Sequence, residues 1–349
     1  MTRLDDALAL VSIASVSRDE AAIADHIDKR LRQNPALDVE RIGDNVIART
    51  MGHHATRLLV AGHIDTVPGD ASEAQVVDGQ LRGVGACDMK GSLAVMLELA
   101  LKSQPRSVEV TWVFYAREEI ARSESGLLEI AELRPDLLDA DAAVLAEPTG
   151  GVVEAGCQGT LRVEIELTGV RAHTARPFVG RNAIHRLGAL IARVAAYEPR
   201  TAIVDGIAYV EQLQVVGVDG GVAPNVVPDR ARCVLNHRVA PDRTRDEAAA
   251  SIATLLDGLL EGDDRFEVLD WAPAAAPSLS NERLGLLVQA TGAPAKGKVG
   301  WTDVATFVER GIPATNYGAG DPLLAHRSDE YVTIDELDEF ARVLDEWLT

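Results

Sequence analysis

Three apolar runs, "RLLVAG" from Arg57, "VEVTWVFYA" from Val108 and "AAVLAEPT" from Ala142, constrain the fold of this 349-residue chain more than anything else in it. Each is nearly free of polar residues, and the segments between them carry helical spacing. A strand with one wet face alternates polar and apolar side chains, so unbroken runs belong to strands buried on both faces, the parallel strands of an α/β layer. The covering helices are legible too. Ser17-Arg18-Asp19-Glu20 has the form of a capping box opening a first helix, and "GSLAVMLELALK" is apolar enough to pack along a sheet over most of its surface.

From about Thr160 the pattern changes. Leu161, Val163, Ile165 and Leu167 alternate with Arg162, Glu164 and Glu166, which implies an antiparallel sheet with one buried face. Helical spacing follows at Ile184, Leu187, Ile191 and Val194, then strand-like "IAYVEQLQVV" and "RARCVLNHRVA", a capping box at Thr244 to Glu247, the helix "SIATLLDGLL" and a strand at "RFEVLDW". That order, β-α-β-β-α-β, is the split β-α-β, ferredoxin-like arrangement. After a linker, "APAAAPSLSN", helical and strand patterns resume from Glu282 and include a capping box at Thr333 to Glu336. The expected fold is therefore an α/β domain with a mostly parallel sheet flanked by helices, built from residues 1–158 and 273–349, interrupted by an inserted α+β domain of residues 159–272.

A formal charge of -20 excludes a nucleic-acid surface and an anionic membrane surface, both of which need a concentrated basic face. The N-terminal stretch carries Asp5 and Asp6 where a signal peptide needs an apolar run, and no stretch approaches the ~18 apolar residues of a membrane span. Three scattered cysteines, Cys87, Cys157 and Cys233, form no disulfide framework and fit a reducing compartment, so a cytoplasmic protein is expected.

Polar residues collect where the apolar runs end. His63 and Asp65 follow the first, Asp88 lies in the Gly-rich turn "RGVGACDMKG", Glu118 and Glu119 end the second run, and Glu147 ends the third. Ligands of open α/β sheets gather at the carboxyl ends of strands, so one imidazole and five carboxylates are expected at one sheet edge. So much negative charge costs several kcal/mol unless cations neutralise it. Imidazole and oxygen ligands without thiolates suit zinc in a hydrolytic site, with cobalt or manganese as alternatives, and shared carboxylates suit two metals. A nucleotide site is excluded: "GVGACD" puts Asp88 where pyrophosphate would need the third glycine, and no Walker lysine pattern exists.

With His326 in "GAGDPLLAHRSDE", "GACDMKGSLAVML", the Glu118-Glu119 pair and "AEPT", the chain resembles the M20 metallopeptidase family of co-catalytic zinc hydrolases over nearly its whole length. The resemblance implies two divalent metal ions: one on His63, Asp88 and Glu147, the other on Asp88, Glu119 and His326, with Asp88 bridging. It implies Glu118 as general base, Asp65 as the carboxylate orienting His63, and a cis peptide between Asp88 and Met89. It further implies amide hydrolysis of a small N-acyl amino acid carrying carboxylates, in a homodimer whose inserted domain serves as lid and dimerisation surface. Relatives with other acyl preferences, or a catalytically silent dimeric binding protein, are the competing readings.

Recognition of such a substrate needs positive charge, and one stretch of this acidic chain supplies it. "RAHTARPFVGRNAIHR", Arg171 to Arg186, holds four arginines and two histidines with no acid. It is expected to form an anion-binding lip containing Arg176. His173 matches the family histidine that stabilises the tetrahedral oxyanion across a dimer interface. Asn225, Arg238 and Thr302, the last beside Asp303 in "GWTD", fall where the resemblance implies substrate contacts. Arg117 before the glutamate pair and "GCQG" at Gly156 to Gly159 depart from the commoner family text.

Overall fold

The unbroken apolar runs do form buried parallel strands. The computed structural model describes residues 2–102 and 106–349, which divide into two compact units: Met1–Gly156 with Pro277–Lys296 and Thr302–Thr349, and Cys157–Ala276 with Gly297–Trp301.

In the first unit the mixed main sheet has the strand order Leu37–Ile42, Asn45–Thr50, Glu109–Tyr115, Arg57–His63, Ala142–Leu145, Ala314–Asn316, Glu154–Ala155, Lys296–Gly297. Its four central strands are parallel, with Arg57–His63 lying between Glu109–Tyr115 and Ala142–Leu145. The antiparallel hairpin Leu37–Ile42 and Asn45–Thr50 extends one edge, which the sequence reading did not foresee. Helix Gly91–Leu101 is buried on nearly every side, which is why its sequence lacks a polar face. Its start packs so closely on the strand Arg57–His63 that a Cβ at Gly62 would lie 2.6 Å from Leu93 and from Met89.

The helix before all of these, Arg3–Val11, is capped by a Thr2–Asp5 box. The box read at Ser17–Glu20 is absent: helix Ala21–Leu31 begins after Glu20 with no side-chain cap, because Ser17 and Glu20 hydrogen-bond elsewhere. Those at Thr244–Glu247 and Thr333–Glu336 are present.

The second unit has a four-stranded antiparallel sheet in the order Gln212–Gly220, Arg230–Val239, Gly159–Thr168, Arg265–Ala272. Helices Ala183–Ala195 and Arg245–Leu255 share its core with Leu161, Val163, Ile165 and Leu167. The run "IAYVEQLQVV" is two strands rather than one, Ile207–Val210 and Gln212–Gly220. It breaks at Glu211, whose fully buried carboxylate accepts from Arg243 at 2.9 Å and from the Ala240 N–H at 3.1 Å. No helix among the described residues is long and apolar enough to cross a membrane.

Candidate metal centre

The parallel strands of the first unit deliver their polar ends to one edge. His63 is the last residue of its strand and pairs in register with Tyr115, the last of the neighbouring one. Two residues beyond Tyr115 the chain enters left-handed conformation at Arg117, φ +63°. Adjacent side chains on a regular strand point to opposite faces, so ending the strand here is what frees Glu118 and Glu119 from that alternation. Glu147 follows the strand Ala142–Leu145 and is buried. Asp88 lies in the turn before helix Gly91–Leu101, and the Asp88–Met89 peptide is cis.

Asp88 is the centre of the cluster. Its Oδ1 lies 3.0 Å from His63 Nε2, and its Oδ2 lies 3.4 Å from His326 Nε2. His326 Nε2 is also 2.9 Å from Glu119 Oε1. His63, Asp88 and Glu119 each offer a ligand atom within 4.8 Å of the others. This set of imidazole nitrogens and carboxylate oxygens fits divalent cations.

The carboxylates hold both imidazoles protonated. Burial opposes the charge on His63, but Asp65 and Asp88 outweigh it and raise its pKa well above the usual value. Hydrogen bonds to Asp88 and then Glu119 raise His326 to about 10. Burial likewise opposes ionisation of Asp88, yet hydrogen bonds from His326 and His63 keep its carboxyl below the usual range. Glu118 goes the other way: burial, then the charge of Glu147, push it well above the carboxylate range.

Asp65 does more than orient His63. Nδ1 of His63 is closer to the Asp65 backbone carbonyl, 3.0 Å, than to its carboxylate, 3.5 Å. The backbone oxygen therefore takes the Nδ1–H and leaves Nε2, on the Asp88 side, as the atom that could bind a cation. The Asp65 carboxylate instead accepts the N–H groups of Glu118 at 3.0 Å and Glu119 at 3.1 Å, and the Ser17 hydroxyl at 2.7 Å.

Sequence reasoning missed Ser17, Glu20 and Glu330 at this site. Glu330 Oε1 accepts from the Cys87 N–H at 2.7 Å and the Asp88 N–H at 2.9 Å, and burial raises it to about 7. Its signal was its place four residues after His326, in text read only for the histidine. Thr302 is buried, with its hydroxyl donating to Asn316 Oδ1 at 2.9 Å, and burial raises the pKa of neighbouring Asp303.

In the second unit His173 is exposed, and its Nδ1 accepts the Ala175 N–H at 3.0 Å. In the neutral ring the proton is then on Nε2, which leaves that atom as an outward donor. Asn225 lies beside it, its carbonyl accepting the Thr174 N–H at 3.0 Å. The free basic lip is not met. Arg171 pairs with Asp229 at 2.9 Å, Arg181 with Glu261, and Arg186 with Asp264 at 2.6 Å, all neutralised by acids remote in sequence. Arg176 and Arg238 have no carboxylate partner among the described residues, and Arg238 donates to the Thr160 hydroxyl at 2.7 Å.

The chain belongs to peptidase family M20/M25/M40, whose sequence profile it matches over residues 59–349. It is a metallohydrolase that uses divalent metal. It is 47% identical over 329 residues, 93% of this chain and 92% of the relative, to a putative succinyl-diaminopimelate desuccinylase of Mycobacterium tuberculosis. It is 43% identical over 350 residues, 97% of this chain and 94% of the relative, to a succinyl-diaminopimelate desuccinylase of Corynebacterium glutamicum. The fold is shared with a tripeptidase from Staphylococcus aureus, with TM-score 0.81 at 21% identity over 99% of this chain and 96% of that one.

Proposed function

We propose that this metallohydrolase cleaves N-succinyl-LL-2,6-diaminopimelate to succinate and LL-2,6-diaminopimelate, a step of lysine and diaminopimelate biosynthesis. The reaction class rests on one observation: the two oxygens of Asp88 face two different imidazoles. That is the arrangement of a carboxylate shared by two cations. The substrate rests on likeness, at 43% identity and above, to relatives that carry that name.

In this reading His63, Asp88 and Glu147 hold one ion, and Asp88, Glu119 and His326 the other. Zinc suits the donors, and cobalt is the alternative. When bound, the ions supply Lewis acidity to the scissile carbonyl and to the attacking water. Glu118 takes the proton from that water and delivers it to the leaving amine. The same carboxyl group thus acts as base in the first half of the transfer and as acid in the second. Asp65 holds the Glu118 and Glu119 backbone in place throughout. Arg176, Arg238, Asn225 and Thr302 are assigned to the substrate's polar groups.

The second unit, read as lid and dimerisation domain, pairs with a second copy through its edge strand Gln212–Gly220, on which Val216 and Val218 are exposed. His173 then donates its Nε2–H to the oxyanion in the partner's site. Three free, buried cysteines accord with a cytoplasmic home.

The test is hydrolysis of N-succinyl-LL-diaminopimelate beside N-acetylornithine, with and without chelator. The succinyl substrate should be strongly preferred, chelator should abolish turnover, and Glu118→Gln should lower kcat roughly 10³-fold. Preference for the acetyl substrate would move the chain to another amidohydrolase of the family. Turnover indifferent to chelator would remove the reading altogether.

A further inference from the structure

Ser17 and Glu20 have the spacing of a helix cap and do not cap. Their side chains reach instead to the Arg117–Glu119 turn. Glu20 Oε1 accepts the Arg117 N–H at 3.2 Å and the Arg18 N–H at 3.0 Å. Asp65 accepts the next two N–H groups, those of Glu118 and Glu119, and is held in turn by the Ser17 hydroxyl. Three consecutive backbone donors beyond the end of a strand are thus all received by carboxylates, and both carboxylates belong to residues with no exposed surface. The first donor belongs to Arg117, a side-chain-bearing residue at φ +63°, where L residues are disfavoured and need outside support.

A solvated cap at the start of helix Ala21–Leu31 would have satisfied Glu20 at little cost. Burying it near a second carboxylate is expensive unless its hydrogen bonds are needed where they fall. We propose that Glu20, braced with Ser17 and Asp65, is a positioning residue that fixes the turn aiming Glu118 at its proton. This rests on the reading of Glu118 as the proton carrier.

The experiment compares Glu20→Ala, Glu20→Gln and Ser17→Ala with wild type. Glu247→Ala, which breaks a genuine capping box in the other unit, is the control for simple loss of stability. Glu20→Ala should lower kcat roughly 10- to 100-fold, as small misplacements of reacting groups do, with KM and bound metal unchanged. In the metal-free protein it should speed amide hydrogen exchange across Arg117–Glu119. Glu20→Gln keeps an oxygen for the same N–H groups and should recover most of the lost kcat, while Ser17→Ala should cost less than Glu20→Ala in the same parameter. Glu247→Ala should lower the melting temperature and leave kcat and that exchange alone.

Wild-type kcat and exchange in Glu20→Ala would overturn the proposal, and so would a loss of activity that merely follows a loss of metal. If Glu20→Ala does not fold, Ser17→Ala decides: unchanged kcat and exchange there refute the brace. Failure of the underlying reading looks different. It appears as normal turnover by Glu118→Gln, whatever the Glu20 variants do.

Discussion

In the proposed reading, protons and metal ions compete for the same atoms on His63 and His326. A metal ligand must be neutral imidazole, and Asp88 and Glu119 keep His326 protonated up to about 10 in the metal-free protein. Metal entry at neutral pH must therefore expel protons. Apparent affinity should rise with pH and level off only above about 10, once the imidazole has become neutral. Titrating metal-free protein with zinc in weakly buffered solution should acidify it. Uptake without proton release, or affinity falling as pH rises, would contradict the charge arrangement. The clustering of His63, Glu119 and Asp88 at one edge was legible in the sequence, because polar residues ending apolar runs or filling the Gly-rich turn before a buried helix have few structural reasons to be there, whereas His326 was legible only through the family resemblance. Asp65 was half legible: its nearness to His63 was clear, but its hold on the Glu118 and Glu119 backbone was not, since those donors lie over fifty residues away. Ser17 and Glu20 were misread because a helix cap and a remote brace use the same residue types at the same spacing.

Glycines decide how closely the elements around the site approach. Gly318 follows the strand Ala314–Asn316, which runs parallel to Ala142–Leu145. A Cβ on Gly318 would lie 2.1 Å from the Ala146 carbonyl oxygen and 2.5 Å from that of Glu147. These are backbone atoms and cannot yield without moving Glu147. Gly318→Ala should cost about 1–3 kcal/mol in thermal unfolding. It should also reduce metal content on the His63 side more than on the His326 side. An unchanged melting temperature would contradict this close backbone contact. At this scale the sequence distinguished parallel from antiparallel strands well, since burial on two faces and on one leave different patterns at Leu58–Ala61 and Leu161–Leu167. It failed at Glu211, where a buried, paired carboxylate interrupts a run whose apolar residues look continuous.

The inserted unit gives the whole molecule its division of labour in the proposed reading. The first unit carries the metal ligands and Glu118, and the second carries His173 and the exposed edge strand. If His173 acts in trans, then mixing His173→Ala with Glu118→Ala subunits, each nearly inactive, should restore one working site per heterodimer. No recovery once heterodimers have formed would place His173 outside the partner's site. The order of elements across the insertion was readable from pattern, whereas pairing between copies leaves no periodic trace in one chain. The claim beneath all of this is that Asp88 joins two cations. Diffraction at the zinc absorption edge tests it most directly. Two anomalous peaks roughly 3.5–4 Å apart should flank the Asp88 carboxylate, one beside His63 and Glu147 and the other beside Glu119 and His326. A single peak, or peaks that leave Asp88 unshared, would contradict the account.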